Sequence, residues 1–182
     1  MKQQGINLSN VAIVLELPPT VAEKVLDLRA IYDPDLALNI PVEITVAGSS
    51  GLGTIEPDQD SELVFAELEQ IAQETAPFEI YLDKVFRFPN SLVYSFAIGA
   101  AQPIIDLHRR LAASKIRFKA SPYPFVPHCS LHIWGELDPE LESELLKIQI
   151  TDRFMLDSFA LYQLVEAKAV ALVKRYQFPS VD

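Results

Sequence analysis

Among its 182 residues the chain has a single cysteine, Cys129. That excludes an internal disulfide and any thiolate cluster able to hold zinc or an iron–sulfur centre, and a reducing compartment suits such a chain. No apolar run approaches the roughly 20 residues that a membrane span needs. The first ten residues are polar and lack the basic-then-apolar plan of a secretion signal, so the expectation is a soluble, cytoplasmic protein with no membrane partner. Cations are short as well: 15 Lys and Arg stand against 25 Asp and Glu, a formal net charge of −10. Affinity for duplex nucleic acid comes mainly from cationic side chains displacing counterions, so a long duplex is not the expected partner. A small phosphate ester or an RNA end asks only for local positive potential, which an acidic protein can carry. The stretch 48–53 is glycine-bearing but lacks the lysine and helix start of a P-loop, and reads as a flexible rim.

What is present is a core: 49% of the residues are apolar and 22% charged, enough for one folded unit spanning 1–182. Val11 to Leu17 is a branched apolar run stopped by Pro18 and Pro19, hence a buried strand. Thr20 can cap a helix in which Val21, Val25, Leu26, Leu28 and Ile31 recur at helical spacing up to the break at Asp33-Pro34-Asp35. A strand over 42–47, a helix over 58–76 and a strand over 78–88 follow, and Pro89-Asn90 turns the chain into a hairpin partner at 92–98. The plan then restarts: a helix from Pro103 through Ala112, a proline-rich loop over 121–127, a strand over 128–134, a short helix over 139–146, and strands over 154–165 and 167–176.

Laid side by side, 11–30 resembles 93–112, 42–46 resembles 127–131, and 78–86 resembles 154–162. The displacements are 82, 85 and 76 residues, so the differences in length fall in loops and in the shorter second helix, where they are tolerated. The expected fold is α+β and bilobal. A strand–helix–strand plan is repeated about a pseudo-two-fold axis, with repeats of about 11–90 and 91–176 mixing in the lobes. Antiparallel-rich sheets carry helices outside and leave a cleft between them. Alternation along the strand puts His128, Ser130 and His132 on one face and Cys129, Leu131 and Ile133 on the other. The register of the repeats sets Glu43 opposite His128 and Thr45 opposite Ser130. Four polar groups on apolar strands are costly to bury dry, so a wet or ligand-filled groove accounts for them.

Phe125-Val-Pro-His-Cys-Ser-Leu131, the strand–helix plan of each half and Phe86-Arg-Phe-Pro89 before the second repeat resemble the two-histidine (2H) phosphoesterase superfamily, which includes the 2′-5′ RNA ligases and cyclic phosphodiesterases. The resemblance covers nearly the whole chain. It departs at the first motif, where Pro41-Val-Glu-Ile-Thr45 places Glu43 in the position of a histidine. The resemblance implies metal-independent, cofactor-free opening of a 2′,3′-cyclic phosphate, or turnover of a 2′-5′ phosphodiester, in a small nucleotide or RNA end. One imidazole is general base and the other general acid, and hydroxyls hold the non-bridging oxygens. Carried onto this sequence, His128 is one acid/base, Ser130 and Thr45 are phosphate donors, and Glu43 stands in for the missing histidine. As an anion Glu43 opposes phosphate binding unless its pKa is raised enough to keep it protonated.

No basic residue directly follows the second motif, so compensating charge falls to Arg117, Lys119, Lys84 and Arg87, the last two of which read equally as solvated strand-edge charges. Tyr123 and Trp134 can stack on a nucleobase; residues of their kind, Phe125 included, more often fill a core or cover a loop. His132 is cleft wall or rim, or else structural. It lies roughly 13 Å from His128 along a strand, too far to share a metal ion. His108, beside two arginines, reads as a surface residue, and Cys129 as an inert core thiol. Two other readings stand beside the enzyme: a non-catalytic nucleotide- or phosphate-binding module, and a scaffold whose apolar groove binds a peptide without affinity for phosphate.

Overall fold

Proline opens four of the five helices described, where its missing N–H costs nothing because the first turn has no carbonyl to bond. The structure, a computed structural model, describes residues 6–165 and 170–180. In chain order the elements are β1 (Val11–Glu16), α1 (Pro19–Tyr32), α2 (Pro34–Asn39), β2 (Glu43–Ala47), β3 (Leu52–Ile55), α3 (Ser61–Gln73), β4 (Phe78–Arg87) and β5 (Tyr94–Gly99). Then follow α4 (Gln102–Ala113), β6 (Phe118–Ala120), β7 (His128–His132), α5 (Pro139–Leu145), β8 (Arg153–Leu156), β9 (Ser158–Leu164) and β10 (Val170–Gln177). Among the described residues no helix is long and apolar enough to cross a membrane.

Two four-stranded antiparallel sheets run β10-β9-β1-β2 and β8-β4-β5-β7, and a two-stranded piece pairs β3 with β6. β2 and β7 are the end strands of their sheets and lie against each other, which puts the cleft at their junction, with the β1–β2 and β5–β7 pairings as its two seams. Each sheet draws strands from both halves of the chain. The helices cross over too: α1 packs on β7, and α4 packs on β2. Ile13, Leu15 and Ile44 in one sheet and Phe96, Cys129 and Leu131 in the other are fully buried, and each large aliphatic among them stabilises the fold by about 1.5–3 kcal/mol.

The two seams are built alike. Glu16, Leu15, Val14 and Ile13 pair with Glu43, Ile44, Thr45 and Ala47. Ala97, Phe96, Ser95 and Tyr94 pair with His128, Cys129, Ser130 and His132. One residue is skipped at the same step on each motif strand, Val46 in β2 and Leu131 in β7, leaving a bulge in both. This pairing sets Ala97 against Glu16, 81 residues on, one residue away from the displacement that the apolar run suggests.

Several elements differ from expectation. The strand expected over 154–165 is two strands, because the chain crosses between sheets at Asp157: β8 joins β4, while β9 joins β1. The break at Asp33 is a restart, in which the Asp33 carboxylate accepts the Leu36 amide at 3.0 Å and caps α2. β3, inside the expected rim loop, and β6 are too short to leave a periodic signal. Asp60 caps α3 and trims it to 61–73. Residues 166–169, the start of the expected last strand among them, lie outside the described residues.

Candidate active site

β2 and β7 carry the same pattern of burial: positions 43, 45, 128 and 130 are half-buried, while 44, 46, 47, 129, 131 and 132 are buried. Alternation puts Glu43 with Thr45 and His128 with Ser130 on the open face, and the bulge ends it. An extra residue inverts every later side chain, so His132 does not share the face of His128. It is 2% exposed, with Nδ1 2.8 Å from the Tyr32 carbonyl, Nε2 2.9 Å from the Gly135 carbonyl and the Asp33 carboxylate 3.7 Å away. His132 therefore braces the corner between α1 and β7 and is no ligand contact. Asp33 completes that brace by accepting the Ile133 and Trp134 amides.

His128 places Nδ1 2.7 Å from the Val126 carbonyl. A carbonyl only accepts, so Nδ1 holds the proton and Nε2 is the basic nitrogen left for chemistry. The edge of Phe88 packs on the ring at 4.9 Å, and burial holds the imidazole pKa below its ordinary value, against the opposing pull of the Val126 carbonyl. Glu43 goes the other way. Burial pushes its carboxyl up to about 7, although the Thr45 hydroxyl, which donates to both carboxyl oxygens at 3.1 and 3.0 Å, and the nearby Arg29 charge pull it down. Cys129 points into the core, where burial pushes its thiol up to about 12; it is inert.

A cavity of about 350 Å³ opens beside Glu43 and Thr45, walled by Val14, Ile40, Pro41 and Tyr162. His128 and Ser130 stand on the adjoining strand, outside its wall. Across from Glu43, Glu16 accepts the Tyr162 hydroxyl and two bonds from Arg175, and the Arg175 bond holds its carboxyl below the usual range.

The other expected contacts are scattered. Arg117 is tied to Asp58 at 2.9 Å and lines a separate groove along α3, so it is turned from the cleft by its own partner. Lys119, on β6 against Gly53, makes no ion pair among the described residues. Tyr123 is 67% exposed on the loop whose carbonyl receives the Gly51 amide. Trp134 is 38% exposed, beyond the bulge at the α1–α2 corner. Lys84 and Arg87 are exposed on β4, and Arg87 pairs with Glu142. Among the described residues no three His, Cys, Asp or Glu side chains gather as metal ligands.

One residue goes unread in the sequence, Arg29, and one is misread, His108. Arg29 is 1% exposed: Nε and Nη2 donate to the Ser130 carbonyl at 3.0 and 2.8 Å, and Nη1 to Ile40 and Pro41 at 2.8 and 3.2 Å. The signal was there, since Arg29 continues the buried stripe Val21–Val25 at four-residue spacing. His108, expected at the surface, is buried: Nδ1 donates to the bulge carbonyl of Val46 at 2.7 Å, and the ring lies flat on Phe125 at 3.7 Å.

This architecture is shared with solved structures. TT0787 of Thermus thermophilus superposes with a TM-score of 0.68 at 17% identity, over 92% of this chain and 97% of that one. LigT of E. coli complexed with 3′-AMP does so with a TM-score of 0.62 at 21% identity, over 94% and 98%. In sequence, the chain is 33% identical over 153 residues to OB1230 of Oceanobacillus iheyensis, which carries a provisional phosphoesterase name; the match spans 80% of this chain and 84% of the relative. The model of the 2′-5′ RNA ligase superfamily matches residues 17–168, from the end of β1 past β9 and across both motif strands, and the chain belongs to that superfamily.

Proposed function

We propose that the cleft opens a 2′,3′-cyclic phosphate, or cleaves a 2′-5′ phosphodiester, in a small nucleotide or RNA end, with His128 as general base and a protonated Glu43 as general acid. The observation that carries this reading is the placement of Glu43 and His128 on the open faces of two abutting strands, in environments that move their pKa values in opposite directions. Water attacks phosphorus while its proton passes to His128 Nε2; the P–O2′ bond breaks, and O2′ takes the proton from Glu43. Ser130 and Thr45 donate to the non-bridging oxygens, Thr45 turning from the carboxyl it now bonds. A neutral Glu43 also removes the repulsion that a carboxylate would set against phosphate. Lys119, Tyr123 and Trp134 are the outer substrate contacts in this reading. A small nucleotide as substrate accords with the ligands of LigT, solved with 3′-AMP, NADP+ and ATP. Duplication of a unit of about 80 residues accounts for the matched seams.

The test is turnover of 2′,3′-cyclic mononucleotides and a 2′-5′ dinucleotide, followed by phosphorus NMR. The wild type opens the ring, and both His128→Ala and Glu43→Gln lose that activity. The free-enzyme kcat/KM falls toward acid as His128 protonates, below the ordinary imidazole range, and toward alkali as Glu43 ionises near pH 7. A silent wild type that gains activity as Glu43→His would replace this reading with that of the binding module.

A further inference from the structure

No basic residue directly follows the second motif in sequence, where Ile133-Trp134-Gly135 stands, yet a full positive charge is buried behind it. Arg29 makes all its hydrogen bonds to neutral carbonyls, and among the described residues it has no carboxylate within ion-pair distance. A buried guanidinium without a counter-ion is costly. Hydrogen bonding alone does not account for it at a position where the helix stripe calls for an aliphatic. Its fork spans the two motifs: one edge holds Ser130 next to the β7 bulge, and Nη1 holds Ile40 and Pro41 just before β2. The matching contact on the other seam, His108 on Val46, reaches one strand alone.

We propose that Arg29 is a positioning residue of the cleft: it sets the spacing between the strand of Glu43 and the strand of His128, and its charge supplies the local positive potential that a bound phosphate meets behind Ser130. This rests on the reading of the cleft as a phosphate site. It also answers how so acidic a chain holds an anion, since a charge held in place under the site acts through a low-dielectric interior and is little screened by salt. The charged and titratable groups around Glu43 are Arg29 of α1, Cys129 of β7, Tyr162 of β9 and Glu16 of β1, which is locked by Arg175 of β10. Arg29 is the one cation among them without an anionic partner.

The experiment follows the side-chain carboxyl ¹³C shift of Glu43 with pH, together with inorganic phosphate binding, in the wild type, Arg29→Gln and Arg29→Lys, each checked for fold by its amide spectrum. Arg29→Gln is expected to raise the Glu43 midpoint by about one pH unit and to weaken phosphate about tenfold. Arg29→Lys keeps the charge, and so the midpoint, but its single ammonium does not hold both motif segments, so kcat drops about tenfold at unchanged midpoint. An unmoved midpoint in folded Arg29→Gln overturns the assignment. If Arg29→Gln does not fold, wild-type kcat in Arg29→Lys overturns it. The titration and the phosphate binding need no turnover, so a wild type that hydrolyses nothing removes the proposed reaction and the kcat arm while leaving the Arg29→Gln arm to stand or fall by itself.

Discussion

The two seams of the cleft share a pairing register and a bulge, yet they are chemically unlike. Next to His128 stands Ala97, and next to Ser130 stands Ser95; the corresponding neighbours of Glu43 and Thr45 are Glu16 and Val14. The seam with histidine has small, uncharged company, and the seam with glutamate is crowded by the Glu16–Arg175–Tyr162 cluster. A histidine at 43 is not needed for proton donation if the site already holds a carboxyl neutral near pH 7. A single backbone plan thus holds two different titratable groups, and their opposite pKa shifts, both caused first by burial, follow from opposite charge types: burial disfavours the anion of Glu43 and the cation of His128.

The comparison breaks most sharply at His128, the proposed base. His128→Ala removes the only imidazole on the open faces, and kcat is expected to fall by about 10²–10⁴-fold in the cyclic-phosphate assay, with the fold retained because the ring is half-buried and, among the described residues, hydrogen-bonded only to the Val126 carbonyl. Glu43→Gln tests the other seam and separates catalysis from stability. It should cost about 10²-fold in kcat while stabilising the protein. The Glu43 pKa in the folded chain is raised from 4.5 to about 7, so its protonated form is the one that folding favours. The stability it contributes is full below pH 4.5 and is lost as pH rises to about 7. Against the wild type, Glu43→Gln should therefore be more stable at pH 8 by on the order of 2–3 kcal/mol and near neutral in effect at pH 4. Urea melts at the two pH values read this directly, and equal differences at both would show that the two seams are not oppositely tuned.

Much of this was legible in the residues. Glu43, Thr45, His128 and Ser130 stood out because polar side chains at alternate positions of apolar strands need an open face, and the structure gives them one. The bulges were not legible. A one-residue insertion at Val46 or Leu131 leaves no mark in composition or periodicity, yet it decides that His132 points inward. Contacts between distant segments were equally hidden: nothing local says that His108 reaches the Val46 carbonyl or that Arg117 prefers Asp58. Arg29 sits between these cases. Its place on a buried stripe was visible, but the carbonyls it holds come from residues 11, 12 and 101 positions away. His108→Leu tests such hidden bracing. Leaving the bulge carbonyl of Val46 unbonded should destabilise the protein by about 1–3 kcal/mol in urea melts, and a neutral result would mean that the bulge holds without its helix.

The smallest expected effect is at Ser95, where the two seams differ by a hydroxyl. Its Oγ is buried without a hydrogen-bond partner among the described residues, and Val14 fills the corresponding place in the other seam without needing one. Cross-strand pairing puts Ser95 on the same face as Ser130. An unpartnered buried hydroxyl is a cost with no return unless something bonds it when the cleft is occupied. If the hydroxyl is idle, Ser95→Ala should stabilise the protein by about 1 kcal/mol with kcat unchanged, making the second seam more like the first. If instead kcat falls while stability rises, Ser95 is the donor that orients Ser130 toward phosphate, and the difference between the seams is part of the chemistry; comparing urea melts with single-turnover rates for this variant separates the two.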